Sequence, residues 1–221
     1  MDGRELKGVA MRARLREATE GVIAEMGIDA TTTVEIARRC GVSRGALLHH
    51  YPTRDELIID TARHFWRRSR DNVAALADDV REGRAGVGIF IGRLYDEVFP
   101  ARSLVTMLEL MVGGRSDTAI GRAVVEVLTD LFRAYEELGE LAFRSHGLPP
   151  AQVHAAMTLI VSTLRGLRIQ EILDPDHDIS PAVRALLVDA VEGVFAKAPR
   201  VQASARKVQV PARRGVRKAK N

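Results

Sequence analysis

The sequence is poor in cysteine and in aromatic side chains: it has one cysteine among 221 residues, and aromatics make up 5%. A single cysteine cannot form an internal disulfide, which excludes a disulfide-stabilised secreted domain and favours a cytoplasmic setting. No apolar run approaches the roughly 18 residues of a membrane helix. The first eight residues also lack the apolar segment of a signal peptide. The core is therefore expected to consist mainly of Leu, Val, Ile and Ala.

Metal-binding and strand patterns are missing as well. The six histidines form no H-x-x-x-H pair and no cluster with the cysteine, so we expect neither a metal site nor a cofactor. No segment alternates apolar and polar residues between turn signals, as a strand would. Apolar residues recur instead at spacings of three and four along most of the chain. The sequence therefore predicts an all-α fold of about nine helices.

Acidic residues are absent from the end of the chain. Residues 199–221 contain eight of the 33 basic residues and none of the 29 acidic ones. The whole chain has a net charge of +4, so the part before residue 199 carries a charge of −4. A segment with one sign of charge and no apolar periodicity is predicted to be a disordered basic tail. DNA binding must consequently be argued from local motifs and not from bulk charge.

The segment 32–57 contains signals for two short helices and the start of a third. Thr32 and Glu35 have the spacing of a capping box, and Gly41 can end a helix in the left-handed conformation. Ser43 can cap a second helix, and Thr53 begins another capping box. Two short helices joined by a glycine-containing turn are typical of a helix-turn-helix, whose second helix enters the DNA major groove.

These helices are expected to share a small core with a preceding helix at residues 9–26, after a frayed end or basic arm at 1–8. The expected core residues are Leu15, Val22, Ile36, Val42, Leu47 and Tyr51. Val34 and Cys40 are expected to face inward as well. A core of this size is marginal alone, so we expect it to lean on the rest of the chain.

Residues 41–45 also match G-x-S-x-G, the nucleophile elbow of hydrolases. That motif requires a strand before the serine, whereas helical periodicity precedes Ser43. The helix-turn-helix explains the same residues as a turn and a cap. We therefore expect no enzyme.

Hydroxyl, imidazole and guanidinium groups near the helix ends are the candidate DNA contacts. The residues are Thr33, Ser43, Arg44, His49, His50 and Arg54. Hydroxyls at helix ends bind phosphate, and arginine binds a phosphate or a guanine edge. Two alternatives stay open, because Arg54 can be a solvated first-turn residue and His49 an ordinary surface histidine.

Four short motifs resemble the TetR family of bacterial transcriptional regulators. They are AEMG at 24–27, TTVEIA at 32–37, GVS at 41–43 and HYPTRDEL at 50–57. The specific resemblance covers about residues 12–58, and GLRIQEILDP at 166–175 looks like a segment common in C-terminal domains of the family. The resemblance implies a helix-turn-helix DNA-binding domain at 1–53 and a helical ligand-binding and dimerisation domain at 54–198.

The resemblance also implies roles by position. The residues implied to face base edges or the adjacent backbone are Ser43, Arg44, Gly45 and Ala46. Those implied to bind phosphate are Thr33, His50 and Arg54. Leu48 departs from the family pattern, because many members have a phosphate-binding tyrosine there.

Helical periodicity accounts for the remainder of the chain. The predicted helices there span 54–79, 89–99, 101–112, 117–145, 151–173 and 180–198. The resemblance implies that the last two, at about 151–173 and 180–197, form a four-helix bundle with a second copy.

The implied function is a ligand-responsive repressor that binds a palindromic operator in double-stranded DNA as a homodimer. A small hydrophobic or aromatic effector would release it. The pocket candidates are Trp66, Phe90, Leu94, Met107, Met111, Phe132, Tyr135, Met157 and Arg165. Each apolar member can equally be core, while Arg93 or Arg165 can pair with an acidic group on the effector. The alternative is a regulator without an effector, which associates with the nucleoid through its basic tail.

Overall fold

The computed structural model describes residues 3–113, 115 and 118–196, and these contain nine α-helices and no β-strand. The helices are α1 (Gly3–Met26), α2 (Thr33–Cys40), α3 (Arg44–His50), α4 (Arg54–Arg81), α5 (Val87–Arg93), α6 (Ala101–Gly113), α7 (Ala119–Phe143), α8 (Pro150–Leu173) and α9 (Ser180–Ala196). A π-helical turn (Leu94–Val98) follows α5, and a 3₁₀ turn (Arg144–His146) follows α7. The expected all-α fold is confirmed over this range. None of the described helices is long and apolar enough to cross a membrane.

Helices α1–α3 form the part called the head below, and hydroxyl caps set the starts of α2, α3 and α4. Thr32 and Ser43 each accept a hydrogen bond from the backbone amide three residues later, at 3.2 and 3.1 Å, and Thr53 does the same at 3.1 Å. Gly41 ends α2 with φ of 69°, a left-handed conformation that favours glycine. The predicted helix-turn-helix is thus built by short-range bonds.

The small core of the head contains the predicted residues, with Val42 packed at its edge. Its buried members are Leu15, Val22, Ile36, Ala37, Cys40, Leu47, Tyr51 and Leu57. The expectation for Val34 is wrong, because this side chain is 61% exposed. In a helix of 3.6 residues per turn, position 34 points about a third of a turn away from the buried face formed by Ile36, Ala37 and Cys40.

The head packs against the remaining helices, α4–α9, which are called the body. Ile23 of α1 and Ile28 after it lie in the core of the body, not in that of the head. The Ile28 amide also donates a hydrogen bond to the Glu109 carboxylate on α6, at 3.0 Å. These contacts agree with the expectation that the small core of the head depends on the rest of the chain.

Two predicted helix starts differ from the structure, those of α1 and α7. Residues 3–8 are helical, since α1 begins at Gly3 and has Glu5 in its first turn, where a carboxylate complements the helix dipole. Helix α7 begins at Ala119 after Thr118, whose hydroxyl accepts the Gly121 amide at 3.0 Å. Asp117, predicted to start that helix, lies outside the described residues, as does the tail at 199–221.

The predicted helix at 89–99 is divided into α5 and the π turn. The Phe99 amide donates to the Leu94 carbonyl at 3.0 Å, which is the i to i+5 bond of a π turn. Arg168 of α8 donates to the carbonyls of Tyr95 and Phe99, both at 3.0 Å. A side chain distant in sequence therefore satisfies carbonyl groups at the end of this segment, which local periodicity could not indicate.

Candidate nucleic-acid interface and ligand cavity

Helix α3 presents two faces of different character. Leu47 is fully buried and Tyr51 almost so, which anchors the helix to the head. Residues on the opposite side are exposed, from the N-cap onward. They are Ser43, Arg44, Gly45, Ala46 and His49. The first turn of α3 therefore projects a guanidinium group and small side chains from the surface, which is the arrangement that lets a helix enter a DNA groove N-terminal end first.

Thr33 and His50 are partly buried beside this exposed surface. Burial lowers the pKa of His50, and the neighbouring His49 and Arg12 lower it further. The neutral imidazole of His50 retains one N–H that can donate to a phosphate oxygen. The side chain of Leu48, which departs from the family pattern, packs against the core of the head.

Arg54 has a role that the sequence did not indicate. Its Nε donates to the Thr31 carbonyl and its Nη2 to the Ile28 carbonyl, while Nη1 lies 3.5 Å from the Asp55 carboxylate. The side chain therefore ties the start of α4 to the connection between α1 and α2. Phosphate binding by Arg54 remains a prediction, and its guanidinium already donates to the protein.

A second junction joins the head to α4 through Asp60. The Tyr51 hydroxyl donates to Asp60 Oδ2 at 2.6 Å, and Arg16 Nη1 donates to the same oxygen at 3.0 Å. Burial alone would raise the pKa of Asp60, but the hydrogen bonds from Tyr51 and Arg16 outweigh it and lower that pKa. Burial and the bond to Asp60 raise the pKa of Tyr51 to about 12.

The predicted pocket residues do not line one common cavity. Phe132, Tyr135, Met157 and Arg165 border a cavity of about 260 Å³ between α7 and α8, called the α7–α8 cavity. Trp66 borders a cleft of about 440 Å³ between α4 and α7, called the α4–α7 cleft. The other four members of the set pack in or against the core of the body. They are Phe90, Leu94, Met107 and Met111.

The charged groups of the two spaces differ. The α4–α7 cleft has Arg63, Arg67 and Glu126 among several exposed charged side chains on its walls. The α7–α8 cavity has one arginine, Arg165, and one carboxylate, Glu136, which is exposed. Arg93, the other candidate for an acidic group, pairs instead with Asp79 at 2.6 Å and Glu97 at 2.7 Å.

Two residues missed by the sequence interpretation support the α7–α8 cavity. Ser69 of α4 shares a hydrogen bond of 2.7 Å with the Tyr135 hydroxyl, and the Phe99 ring lies 5.3 Å from the Arg165 guanidinium carbon. Both residues come from elements distant in sequence from α7 and α8. A serine in a long amphipathic helix and a phenylalanine before a proline carry no local signal of such a role.

Fold and surface together define a helix-turn-helix DNA-binding regulator. The family described as "Bacterial regulatory proteins, tetR family" matches residues 15–61 of the chain. The chain is 25% identical over 200 residues to the HTH-type transcriptional regulator CymR of Pseudomonas putida, covering 86% of this chain and 94% of that protein. It is 29% identical over 148 residues to the HTH-type transcriptional regulator BetI of Cronobacter sakazakii, covering 62% and 73%.

Solved structures show the same fold. A protein of Mesorhizobium loti assigned to the TetR-family transcriptional regulators superposes with a TM-score of 0.68 at 15% identity, covering 85% of this chain and 96% of that one. Residues 15–61 therefore match the DNA-binding region of the TetR family, and the chain as a whole is similar to TetR-type transcriptional regulators in sequence and in fold. These relatives are regulators and not enzymes, which agrees with the structure: helix α2, and no strand, precedes Ser43.

Proposed function

We propose that the protein is a repressor that binds a palindromic operator as a homodimer and is released by a small hydrophobic or aromatic effector. The observation that carries the proposal is the exposed first turn of α3, held at a fixed position by the buried Leu47 and by the cap at Ser43. Arg44 reads a base edge or holds a phosphate there, since its side chain is exposed at the leading end of the helix.

The other DNA contacts surround this turn. Ser43, Gly45 and Ala46 approach base edges or the adjacent backbone, because small side chains allow close approach. The phosphate contacts are Thr33, His49, His50 and Arg54. Arg54 keeps its bonds to the connection between α1 and α2 in the free protein, so a phosphate competes with the carbonyls of Ile28 and Thr31.

The homodimer forms through α8 and α9. Large apolar side chains on these two helices are exposed in the single chain. They are Leu159, Ile172, Leu173, Leu186 and Val194. A second copy that packs its own α8 and α9 against this surface buries it in a self-complementary contact. Such a dimer holds two α3 helices about 34–36 Å apart, the spacing of successive major-groove faces.

Helix α4 couples the effector to the head. Its first residue, Arg54, bonds to the head, and its Ser69 bonds to Tyr135 in the wall of the α7–α8 cavity. A ligand in the body changes the position of α4, and hence the spacing of the two α3 helices. It can do so only by binding the two arrangements with unequal affinity.

Selection of bound DNA from a random pool tests both the proposed DNA contacts of α3 and the proposed dimer. A palindromic consensus is expected, and Arg44→Ala should weaken binding to it by at least about tenfold, since a good base contact contributes about 1–3 kcal/mol. Enrichment of a single half-site, or of no sequence, would contradict the proposed operator.

The dimer surface has its own test. Leu186→Arg places a charge in the proposed interface and should yield monomers by analytical ultracentrifugation, together with loss of operator binding. Val125→Arg is the matched control, because Val125 is similarly exposed but lies on α7. A dimer that survives Leu186→Arg would place the interface elsewhere.

A further inference from the structure

Arg165 is an arginine without a carboxylate partner inside the body. Its Nε and Nη2 atoms are buried and have no hydrogen-bond partner in the part of the chain that the structure describes. No carboxylate among the described residues lies within ion-pair distance of it. These two nitrogens form one edge of the guanidinium group, the edge that binds both oxygens of a carboxylate side by side.

Arg168, one helical turn further along α8, uses all three guanidinium nitrogens in hydrogen bonds to the protein. It pairs with Glu171 at 2.7 Å and donates to the carbonyls of Tyr95 and Phe99, both at 3.0 Å. The same helix therefore carries one guanidinium group whose donors are used by the protein and another with two donors unused. Because an unsatisfied buried donor costs about 1–3 kcal/mol or more, the two unsatisfied donors of Arg165 require an explanation.

The surroundings of Arg165 compensate for its charge only in part. Its guanidinium carbon lies 5.3 Å from the ring centre of Phe99 and 5.5 Å from that of Phe132. Burial lowers the pKa of Arg165, while interaction with the Tyr135 hydroxyl opposes this shift. Arginine stays protonated in proteins, so a positive charge persists beside the cavity. Aromatic faces attract such a charge but do not accept its N–H groups side by side.

The shape of the α7–α8 cavity limits what can meet this charge. Met157 and Val161 form buried apolar walls, whereas Thr158 and Ser162 are exposed at its mouth. A volume of about 260 Å³ lies just below the usual range for ligand pockets, so it admits a single ring or a short branched chain. The exposed Glu136 at the rim repels a ligand with more than one negative charge.

We propose that the α7–α8 cavity binds a small organic monocarboxylate with an apolar, preferably aromatic, body, and that the guanidinium group of Arg165, which lines the cavity, turns its unsatisfied Nε and Nη2 donors towards this carboxylate. The ring packs between Phe132 and Met157. This inference names the chemical class of the effector in the proposed function and rests on that function only for its regulatory consequence. The two oxygens of the ligand carboxylate accept hydrogen bonds from the two unsatisfied donors of Arg165.

Direct titration of the DNA-free protein tests the cavity independently of repression. Benzoate and phenylacetate are compared with benzamide, which has the same size but no charge, by isothermal titration calorimetry. The acids should bind at least about tenfold more tightly than the amide, since a hydrogen bond to a charged group contributes about 1.5–3 kcal/mol. Equal affinities, or no binding of either acid at about 1 mM, would overturn the proposal.

Arg165→Gln should abolish this preference for the acids, whereas the matched control Arg63→Gln, in the α4–α7 cleft, should retain it. Loss of the preference in the control alone would overturn the assignment to the α7–α8 cavity. Arg165→Met replaces the guanidinium group with a shorter apolar chain and removes the unused donors, so the melting temperature of this variant should equal or exceed that of the parent. A large decrease in melting temperature, with the acid preference intact in Arg165→Gln, would show that Arg165 is only structural.

Release of operator DNA by the same acids is measured separately. If the acids bind through Arg165 but do not release DNA, the cavity proposal stands and the proposed effector function fails. If an unrelated ligand releases DNA while the acids do not bind, the proposed function stands and the carboxylate assignment fails.

Discussion

The head and the body are stabilised by different kinds of hydrogen bond. Bonds between residues close in sequence prevail in the head, and bonds between distant elements prevail in the body. In the head, the helix starts are fixed by hydroxyls that accept amides three residues away, at Thr32 and Ser43. In the body, α5 and α8 begin without a side-chain cap, and bonds between distant elements fix the structure, such as the bond of 2.6 Å between Tyr95 and Glu171. The exposed first turn of α3 is thus positioned by bonds between residues close in sequence, whereas the α7–α8 cavity depends on contacts between residues far apart in the chain.

The largest effect is expected from the small core of the head. Leu47→Ala should lower the free energy of unfolding by about 2–5 kcal/mol, because it leaves a cavity where a fully buried side chain packs. Operator binding should be lost at the same time, as α3 loses its anchor. Chemical denaturation measures the first effect and a DNA titration the second.

Val34→Ala provides the control within the same head. Because Val34 is 61% exposed, its truncation should change the free energy of unfolding by at most about 0.5 kcal/mol. Equal losses in the two variants would mean that the small core does not hold the head together.

A comparable test in the body removes a long-range contact. Arg168→Gln should lower the free energy of unfolding by about 2–3 kcal/mol, because the carbonyls of Tyr95 and Phe99 lose their donor and Glu171 keeps only its bond from the Tyr95 hydroxyl. Arg165→Gln on the same helix should cost much less, since two of the donors it removes are unused. Similar losses from both arginines, measured by denaturation, would contradict the distinction between them.

The contrast between local and long-range bonds explains which predictions succeeded. The caps at Thr32, Ser43 and Thr53 were predictable, because a hydroxyl and the amide it caps lie within one turn. Val34 was misplaced because a two-turn helix offers too few positions to fix the direction of its buried face.

The body was less predictable because its key partners are far apart in sequence. Arg168 reaches the π turn from about seventy positions away, and no local pattern encodes that approach. Four of the nine predicted pocket residues share a cavity, while the others lie in the cleft or the core. Apolar character alone does not distinguish a residue that lines a cavity from one that fills it.

The junction between head and body should show a pH dependence with a known sign. The pKa of Tyr51 is raised to about 12 from an ordinary 10.0, so the folded state retains this proton more strongly than the unfolded state. Stability from Tyr51 is therefore fully present below pH 10 and is lost as the pH rises towards 12. Asp60 has a lowered pKa, so its contribution is present above its ordinary value of 3.8 and is lost as the pH falls below it.

Tyr51→Phe tests both limbs of this profile. The variant should lose about 1–2 kcal/mol of unfolding free energy near neutral pH, since it removes one hydrogen bond to a carboxylate. The decline between pH 10 and 12 should become shallower, and the acid decline should shrink because Asp60 keeps only its bond from Arg16. An unchanged alkaline limb in denaturation curves would assign that dependence to other groups.

The smallest effect is expected where the two kinds of bond meet, at the start of α4. Thr53→Ala should lower the free energy of unfolding by about 1 kcal/mol, because the Glu56 amide loses its cap. Thr53→Ser keeps a hydroxyl and should restore most of that loss. Since Arg54 ties the same turn to the head over a distance of more than twenty residues, Thr53→Ala should not detach α4. Operator affinity should then fall only slightly, and a large fall would mean that the local cap, rather than the long-range bond, positions the head.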